Sequence, residues 1–155
     1  MLNGISSLIT PEIYRVIYTM GHLDELAIVD GNYGEKYGSK NNRIFHSIQD
    51  NNRLLTEILR YLPLDEDERD PVQVFIPDYY DTEDPPAWEI YQKTIDLYYE
   101  NGRIKINKIG RKEFYGRTSE AYATIKTLDQ RPYANIIVRK GFVLNLEDSI
   151  NAGAI

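Results

Sequence analysis

The hydrophobic period of this chain changes abruptly at Gly21. Upstream, Ile13, Val16, Ile17 and Met20 recur at the spacing of one helical face. Downstream, Leu26-Ala27-Ile28-Val29 is an unbroken apolar run, too short for a helix and suited to a strand buried on both sides. A chain that keeps alternating these two periods points to a mixed α/β domain in which helices flank a central sheet.

The alternation continues to the end of the readable pattern. Thr10-Pro11-Glu12 starts the first helix, because threonine accepts a free N–H, proline loses nothing at the first helical position and glutamate meets the positive dipole end. Gly21 reads as its stop. Residues 35–43 are polar and read as a loop. A second helix starts near Asp50 or Asn51, carries Leu54, Leu55, Ile58, Leu59 and Leu62 on its core face, and is closed by Pro63. Val72–Ile76 alternates as a strand. The segment 77–86 is acidic, aromatic and proline-bearing, so regular structure does not run through it. A third helix from Pro85 or Pro86 presents Trp88, Tyr91, Ile95 and Tyr98 and ends at Asn101-Gly102. Further strands are expected at 104–109, 121–127 and 135–139, with a short helix at 114–119 and a turn at 128–132.

Composition narrows the function classes. The 155 residues suit one domain, and the net charge of −6, with no basic stripe, disfavours nucleic acid as a partner. With no cysteine, disulfides and thiolate zinc sites are excluded, and a cytoplasmic location is the expectation. No apolar run reaches the ~20 residues that span a bilayer, so no membrane partner is expected. The thirteen tyrosines suit subunit interfaces and sugar sites alike, and also plain half-buried packing. No glycine-rich phosphate loop, metal-ligand spacing or nucleophile elbow is present, so neither a metal nor a cofactor is expected.

Two histidines are available for proton transfer near neutral pH, His22 and His46. His22 follows a helix end and precedes a strand that finishes in Asp30. If the helix packs back on the strand, the two share a pocket at a strand end, where α/β folds keep their sites. The alternative is a histidine that caps the helix carbonyls. His46 is expected at the surface. Asp30 suits orienting an imidazole or gripping hydroxyls, and equally capping the next turn. Arg111 after Gly110, Tyr115 four residues on, and Tyr133-Ala134-Asn135 before an apolar run are further polar candidates.

Three blocks of this sequence resemble the D-ribose pyranase and L-fucose mutarotase family. They are Met20-Gly21-His22-Leu23-Asp24-Glu25 through Asp30-Gly31-Asn32, then Glu113-Phe114-Tyr115-Gly116-Arg117 through Ala121-Tyr122-Ala123, then Tyr133-Ala134-Asn135-Ile136-Ile137 through Lys140-Gly141. They stand in the family's order and separations and cover the chain up to Val143. The chain departs from the family's pattern at Leu23, where glycine is common, at Gly34, where proline is frequent, and at Gly116, where glutamate is usual. Residues 35–49 match poorly.

The resemblance implies a cofactor-free isomerase that interconverts the anomers of an aldose, on a family fold that assembles into rings. It matches the proton-transferring histidine to His22, the catalytic tyrosine to Tyr115 and the sugar-binding residues to Asp30, Arg111, Tyr133 and Asn135. Asp65 resembles an aspartate that touches substrate in the animal members, and Phe75 stands where the pocket is often lined by methionine. Asp30 is then expected to orient His22 or hold a hydroxyl. Arg111, and the likeness of 86–91 to the animal fucose enzymes, favour L-fucose over ribose. A homo-oligomer is implied, pentameric rings stacked into a decamer, in which neighbouring copies contribute to one pocket. On this reading residues 1–143 are the mutarotase domain and 144–155 a tail or interface arm. The competing functions are a non-catalytic monosaccharide-binding or transport-accessory protein on the same fold, and a purely structural oligomer.

Overall fold

The computed structural model describes residues 1–67, 69–78, 83–100 and 102–144. Thr10 opens helix α1 (Pro11–Thr19): its hydroxyl accepts the N–H of Ile13, and Ile13, Val16 and Ile17 turn inward. Strand β1 (Glu25–Val29) follows, then a 3₁₀ turn (Glu35–Tyr37) and the short strand β2 (Arg43–Phe45). The Asp50 carboxylate caps helix α2 (Asn51–Leu59) by accepting the N–H groups of Asn52 and Arg53. Strand β3 (Val72–Ile76), helix α3 (Pro86–Tyr98), strand β4 (Asn107–Gly110), helix α4 (Arg111–Glu120), strand β5 (Ala123–Lys126) and strand β6 (Ile136–Arg139) complete the order.

The strands form one mixed six-stranded sheet in the order β2-β5-β1-β6-β3-β4. Strand β6 runs antiparallel to β1 and to β3, while β1–β5, β2–β5 and β3–β4 are parallel. Five strands therefore point one way and β6 points back between β1 and β3. Alternation along each strand sends residues to opposite faces. Leu26 and Ile28 of β1, Val72 and Val74 of β3, and Ile136 and Val138 of β6 pack with α1, α2 and α3 in the main core. Ala27, Val29, Phe75 and Ile137 pack with Phe114 of α4 and Tyr33 on the other face. Burial on both faces explains the unbroken apolar run of β1.

Several boundaries differ from expectation. The 35–43 segment contains the 3₁₀ turn and leads into β2, an edge strand on which only Ile44 is partly covered. Helix α2 ends at Leu59, four residues before Pro63, although Leu62 stays buried. Helix α3 ends at Tyr98, ahead of the turn at Gly102. Strand β4 is Asn107–Gly110 because that stretch pairs with Gln73–Ile76; Ile104 is buried without being in a strand. Helix α4 starts at Arg111, earlier than the expected 114. His46 is half-buried rather than fully exposed: its Nε2 bonds the Leu8 carbonyl at 3.0 Å and its Nδ1 accepts the Ile48 N–H at 3.0 Å, tying down the N-terminal segment. Among the described residues no helix is long and apolar enough to cross a membrane. The expected tail or arm at 144–155 lies outside the described residues beyond Leu144, as do 79–82 of the acidic segment.

Candidate active site

The carboxyl ends of β1, β3 and β4 and the start of β6 converge at one end of the sheet. The antiparallel strand inserted there opens the kind of crevice where α/β sheets bind ligands. Asp30 leaves β1 and Asn135 enters β6, the next strand, so the two meet side by side. The Asp30 N–H donates to Asn135 Oδ1 at 2.8 Å, and Asn135 Nδ2 donates to Asp30 Oδ2 at 3.0 Å. The Asn32 N–H donates to Asp30 Oδ1 at 2.9 Å. Both side chains are buried. Burial pushes the Asp30 carboxyl above its ordinary value, against the hydrogen bonds from Asn32 and Asn135.

An aromatic wall stands beside this pair. Phe75 on β3 lies 5.5 Å from the Tyr133 ring, 5.8 Å from Tyr115 and 5.0 Å from Phe114, centroid to centroid. Arg111, the first residue of α4, pairs with Asp78 at 2.8 Å and holds its guanidinium 6.0 Å from the Tyr115 ring. Burial pushes the Tyr115 phenol up, and the Arg111 cation partly opposes it. Tyr133 has a left-handed backbone (φ 57°), which a bulky residue adopts only where its surroundings impose it. Here they do. The Trp88 indole N–H donates to the Tyr133 carbonyl at 3.1 Å, and the Ala134 carbonyl accepts from Tyr91 at 2.9 Å and from Asn51 at 2.7 Å. The buried Asp129 anchors the same loop by accepting the Asn51 N–H and pairing with Arg131.

His22 and Asp65 lie elsewhere. His22 precedes β1, so all of that strand separates it from Asp30; five extended residues span about 17 Å. Its Nε2 meets Asp65 Oδ1 at 3.4 Å, and its ring packs edge-on to Phe142 at 4.9 Å. Asp65 Oδ2 accepts from Arg139 Nε at 3.1 Å, and Oδ1 accepts the Asp67 N–H at 3.3 Å. Burial opposes ionisation of Asp65, but the hydrogen bonds from Arg139 and His22 outweigh it and hold the carboxyl below its ordinary value. His22 does not cap α1. Nor does Asp30 orient it within one chain, because a straight strand cannot fold its two ends into one pocket; that carboxylate is Asp65.

One chain therefore brings together Asp30, Asn135, Phe75, Tyr115, Tyr133 and Arg111, and sets His22 and Asp65 apart at the opposite end. Three neighbours of these residues went unread in the sequence. Arg139 is the cation behind Asp65, Asp78 holds Arg111, and Tyr37 stacks on Tyr115 at 4.0 Å. Arg139 and Asp78 carried no signal of their own. Tyr37 sat in a segment that looked like plain polar loop.

Residues 3–143 match the family described as the RbsD / FucU transport protein family. The chain belongs to this family. A fucose mutarotase of Danio rerio is 32% identical over 148 residues, which cover 92% of this chain and 95% of the relative. The crystal structure of the fucose mutarotase from Streptococcus pneumoniae in complex with L-fucose superposes with a TM-score of 0.84 at 30% identity, over 92% of this chain and 100% of that one. FucU from Bifidobacterium longum superposes with a TM-score of 0.85 at 32% identity, over the same shares of the two chains, 92% and 100%.

Proposed function

We propose that this protein is an aldose mutarotase that interconverts the anomers of L-fucose or a close relative by opening and reclosing the pyranose ring. The observation that carries the reading is likeness across 92% of the chain to a fucose mutarotase crystallised with L-fucose. The site chemistry agrees with it. A neutral sugar needs directional partners for its hydroxyls, which Asp30, Asn135, Arg111 and Tyr133 supply, and flat apolar surface for its C–H faces, which Phe75 and Tyr115 supply.

Ring opening removes a proton from the anomeric hydroxyl and delivers one to the ring oxygen. His22 and Tyr115 are the pair for this. Ionised Asp65 accepts from His22 Nε2, so in the neutral imidazole that nitrogen carries the hydrogen and Nδ1 holds the free lone pair. Nδ1 takes the anomeric proton, the O–H electrons form the C1 carbonyl, and the C1–ring oxygen bond breaks. The ring oxygen takes the phenolic proton of Tyr115, which burial keeps in place. Rotation about C1–C2 and the reverse transfers close the ring on the other face and restore both groups. Positioned transfer of this kind contributes typically ~10²–10⁴-fold.

His22 and Tyr115 lie at opposite ends of one chain, so the pair forms between copies, His22 of one protomer against Tyr115 of the next. Where that contact is head-to-tail and the rotation between neighbours closes, it builds a ring. Pentameric rings stacked into a decamer are the assembly we propose, with the sugar as the other partner. The His22 side chain is 41% exposed and free to enter a neighbour's site. A cytoplasmic setting goes with this reading, since a cysteine-free chain draws nothing from an oxidising compartment.

Anomer exchange measured by saturation-transfer NMR on fucose, ribose and galactose tests the proposal. Fucose exchange is expected to accelerate with the native protein and to lose that acceleration in His22→Ala. Unchanged exchange in His22→Ala removes His22 from the mechanism. Sugar binding with no accelerated exchange decides for a binding or transport-accessory protein, the reading that the family's description raises. Light scattering that gives a clean 18.0 kDa monomer refutes the shared site.

A further inference from the structure

We propose that Tyr37, seated by the glycine at position 34, is a positioning residue that fixes the plane of the Tyr115 ring. The inference rests on the reading of Tyr115 as a proton-transferring group. A phenol on a helix surface turns about two side-chain torsions, and proton transfer needs its hydroxyl at one place. The contacts around Tyr115 remove that freedom. Tyr37 stacks on it with centroids 4.0 Å apart and planes 15° from parallel. Tyr33 meets it edge-on at 5.5 Å and 86°, and Phe75 closes in at 5.8 Å and 61°. The Arg111 guanidinium lies 6.0 Å from its centroid, and the Lys36 ammonium lies 4.9 Å from the centroid of Tyr37. The two stacked rings thus each carry a cation within the range of cation–π attraction.

The stack is built into the fold. Thr118, three residues after Tyr115 on α4, is fully buried. Its hydroxyl lies 2.9 Å from the Tyr37 carbonyl and 3.0 Å from the Tyr115 carbonyl, shares its one hydrogen between the two, and accepts from the Tyr33 hydroxyl at 2.6 Å. One buried hydroxyl therefore ties the 3₁₀ turn to α4 at the residue that stacks and the residue stacked upon. Glu35 anchors the other side of the turn through Arg43 at 3.3 Å and Lys126 at 3.8 Å.

Gly34 completes the device. Its φ of −64° is open to any residue, so backbone conformation does not call for glycine. Space does: a Cβ there falls 3.0 Å from Cδ2 and 3.2 Å from Cε2 of the Tyr37 ring. Gly34 and Tyr37 therefore act as a pair, the first leaving the room that the second's ring fills.

The test compares Tyr37→Leu, which keeps apolar bulk without a flat face, Tyr37→Phe, which keeps the face, and Tyr115→Phe, all assayed by exchange NMR. Misplacement of a reacting group by about 1 Å costs up to ~10²-fold. Tyr37→Leu is therefore expected to lower kcat by roughly 10- to 100-fold with KM changed less than about 3-fold, and Tyr37→Phe to restore kcat to within about 3-fold of native. A merely structural role moves the bound-sugar stoichiometry instead, which calorimetry reads directly and which is expected to stay native in all three. Gly34→Ala is expected to slow native enzyme but to add nothing to Tyr37→Ala, since its methyl acts through the ring. Native kcat in Tyr37→Leu, with exchange lost in Tyr115→Phe, overturns this inference and leaves the site reading intact. Equal slowing by Gly34→Ala in both backgrounds overturns the pairing of glycine and ring. Native exchange in Tyr115→Phe overturns the reading of Tyr115 and this inference with it.

Discussion

Replacing Asp65 by asparagine tests stability and chemistry at once. The aspartate side chain is 1% exposed and Arg139 is 14% exposed, so water hardly screens their pair. Both carboxylate oxygens accept: Oδ1 from His22 and the Asp67 N–H, Oδ2 from Arg139. An asparagine must turn its NH₂ toward one of these donors. Facing Arg139, it sets donor against cation. Facing His22, it opposes the Asp67 N–H and forces the imidazole to accept at Nε2, which moves the hydrogen to Nδ1 and removes the lone pair that the mechanism uses. Removing one partner of a buried pair costs 3–5 kcal/mol as a rule. Asparagine keeps the volume, so about 3 kcal/mol is expected. His22 adds little to that figure, because its side chain is 41% exposed. For 155 residues the unfolding entropy is about 0.3 kcal/mol per kelvin, so the midpoint falls by about 9 °C.

The pH dependence follows from the depressed Asp65 carboxyl. Its contribution is present above the unfolded value of about 3.9 and is lost as pH falls through the lower folded value. Circular-dichroism melts of native protein and Asp65→Asn, at one protein concentration, should differ by about 9 °C at pH 7 and converge in acid below the folded value. Coincident melts at pH 7, or a gap that persists unchanged after Asp65 is protonated, refute the buried pair as the source. Exchange NMR at 25 °C reads the chemical half. An inverted tautomer predicts loss of turnover far beyond the change in folded fraction.

Other perturbations follow from backbone geometry. Leu23 holds φ 72° where a β-carbon costs about 1–2 kcal/mol, and its side chain is largely exposed. Leu23→Gly should therefore stabilise by about 0.5–1 kcal/mol after glycine's unfolded-state entropy is subtracted, raising the midpoint by about 2–3 °C; a lower midpoint removes the strain argument. Gly141 lies against backbone: an added Cβ falls 2.6 Å from the Leu64 carbonyl oxygen and 3.1 Å from the Asp65 Cα. Gly141→Ala should cost about 2–3 kcal/mol in a denaturant titration and displace Asp65 from His22; native stability shows that this crossing has slack.

How much of the fold was legible depended on burial. Strand β3 is legible at its true ends from the alternation of its residues, and β1 within one residue from an unbroken apolar run that matches its cover on both faces. Helix α1 was read from Thr10-Pro11, whose capping chemistry is local. Strand β2 left no such trace. Its three residues sit at a sheet edge with Arg43 and Phe45 exposed, and its partner β5 lies some eighty residues further on. For β4, Ile104 and Ile106 offered as good an apolar pattern as Asn107–Gly110, and pairing with β3 made the choice.

The site divides along the same line. Residue types were legible because chemistry restricts them; grouping was not, because sequence distance misleads. His22 and Asp30 are eight positions apart and yet occupy opposite ends of β1, while Asp30 and Asn135 stand 105 positions apart and share two hydrogen bonds. In a sheet whose strands mostly point one way, every residue just before such a strand falls at one end and every residue just after it falls at the other. An imidazole before β1 and a phenol after β4 are therefore separated by the same rule that makes each easy to find. On the proposed pairing, a second copy offering its opposite end supplies the missing partner. If the site is shared between copies in this way, dissociation of the assembly should abolish turnover while every chain stays folded.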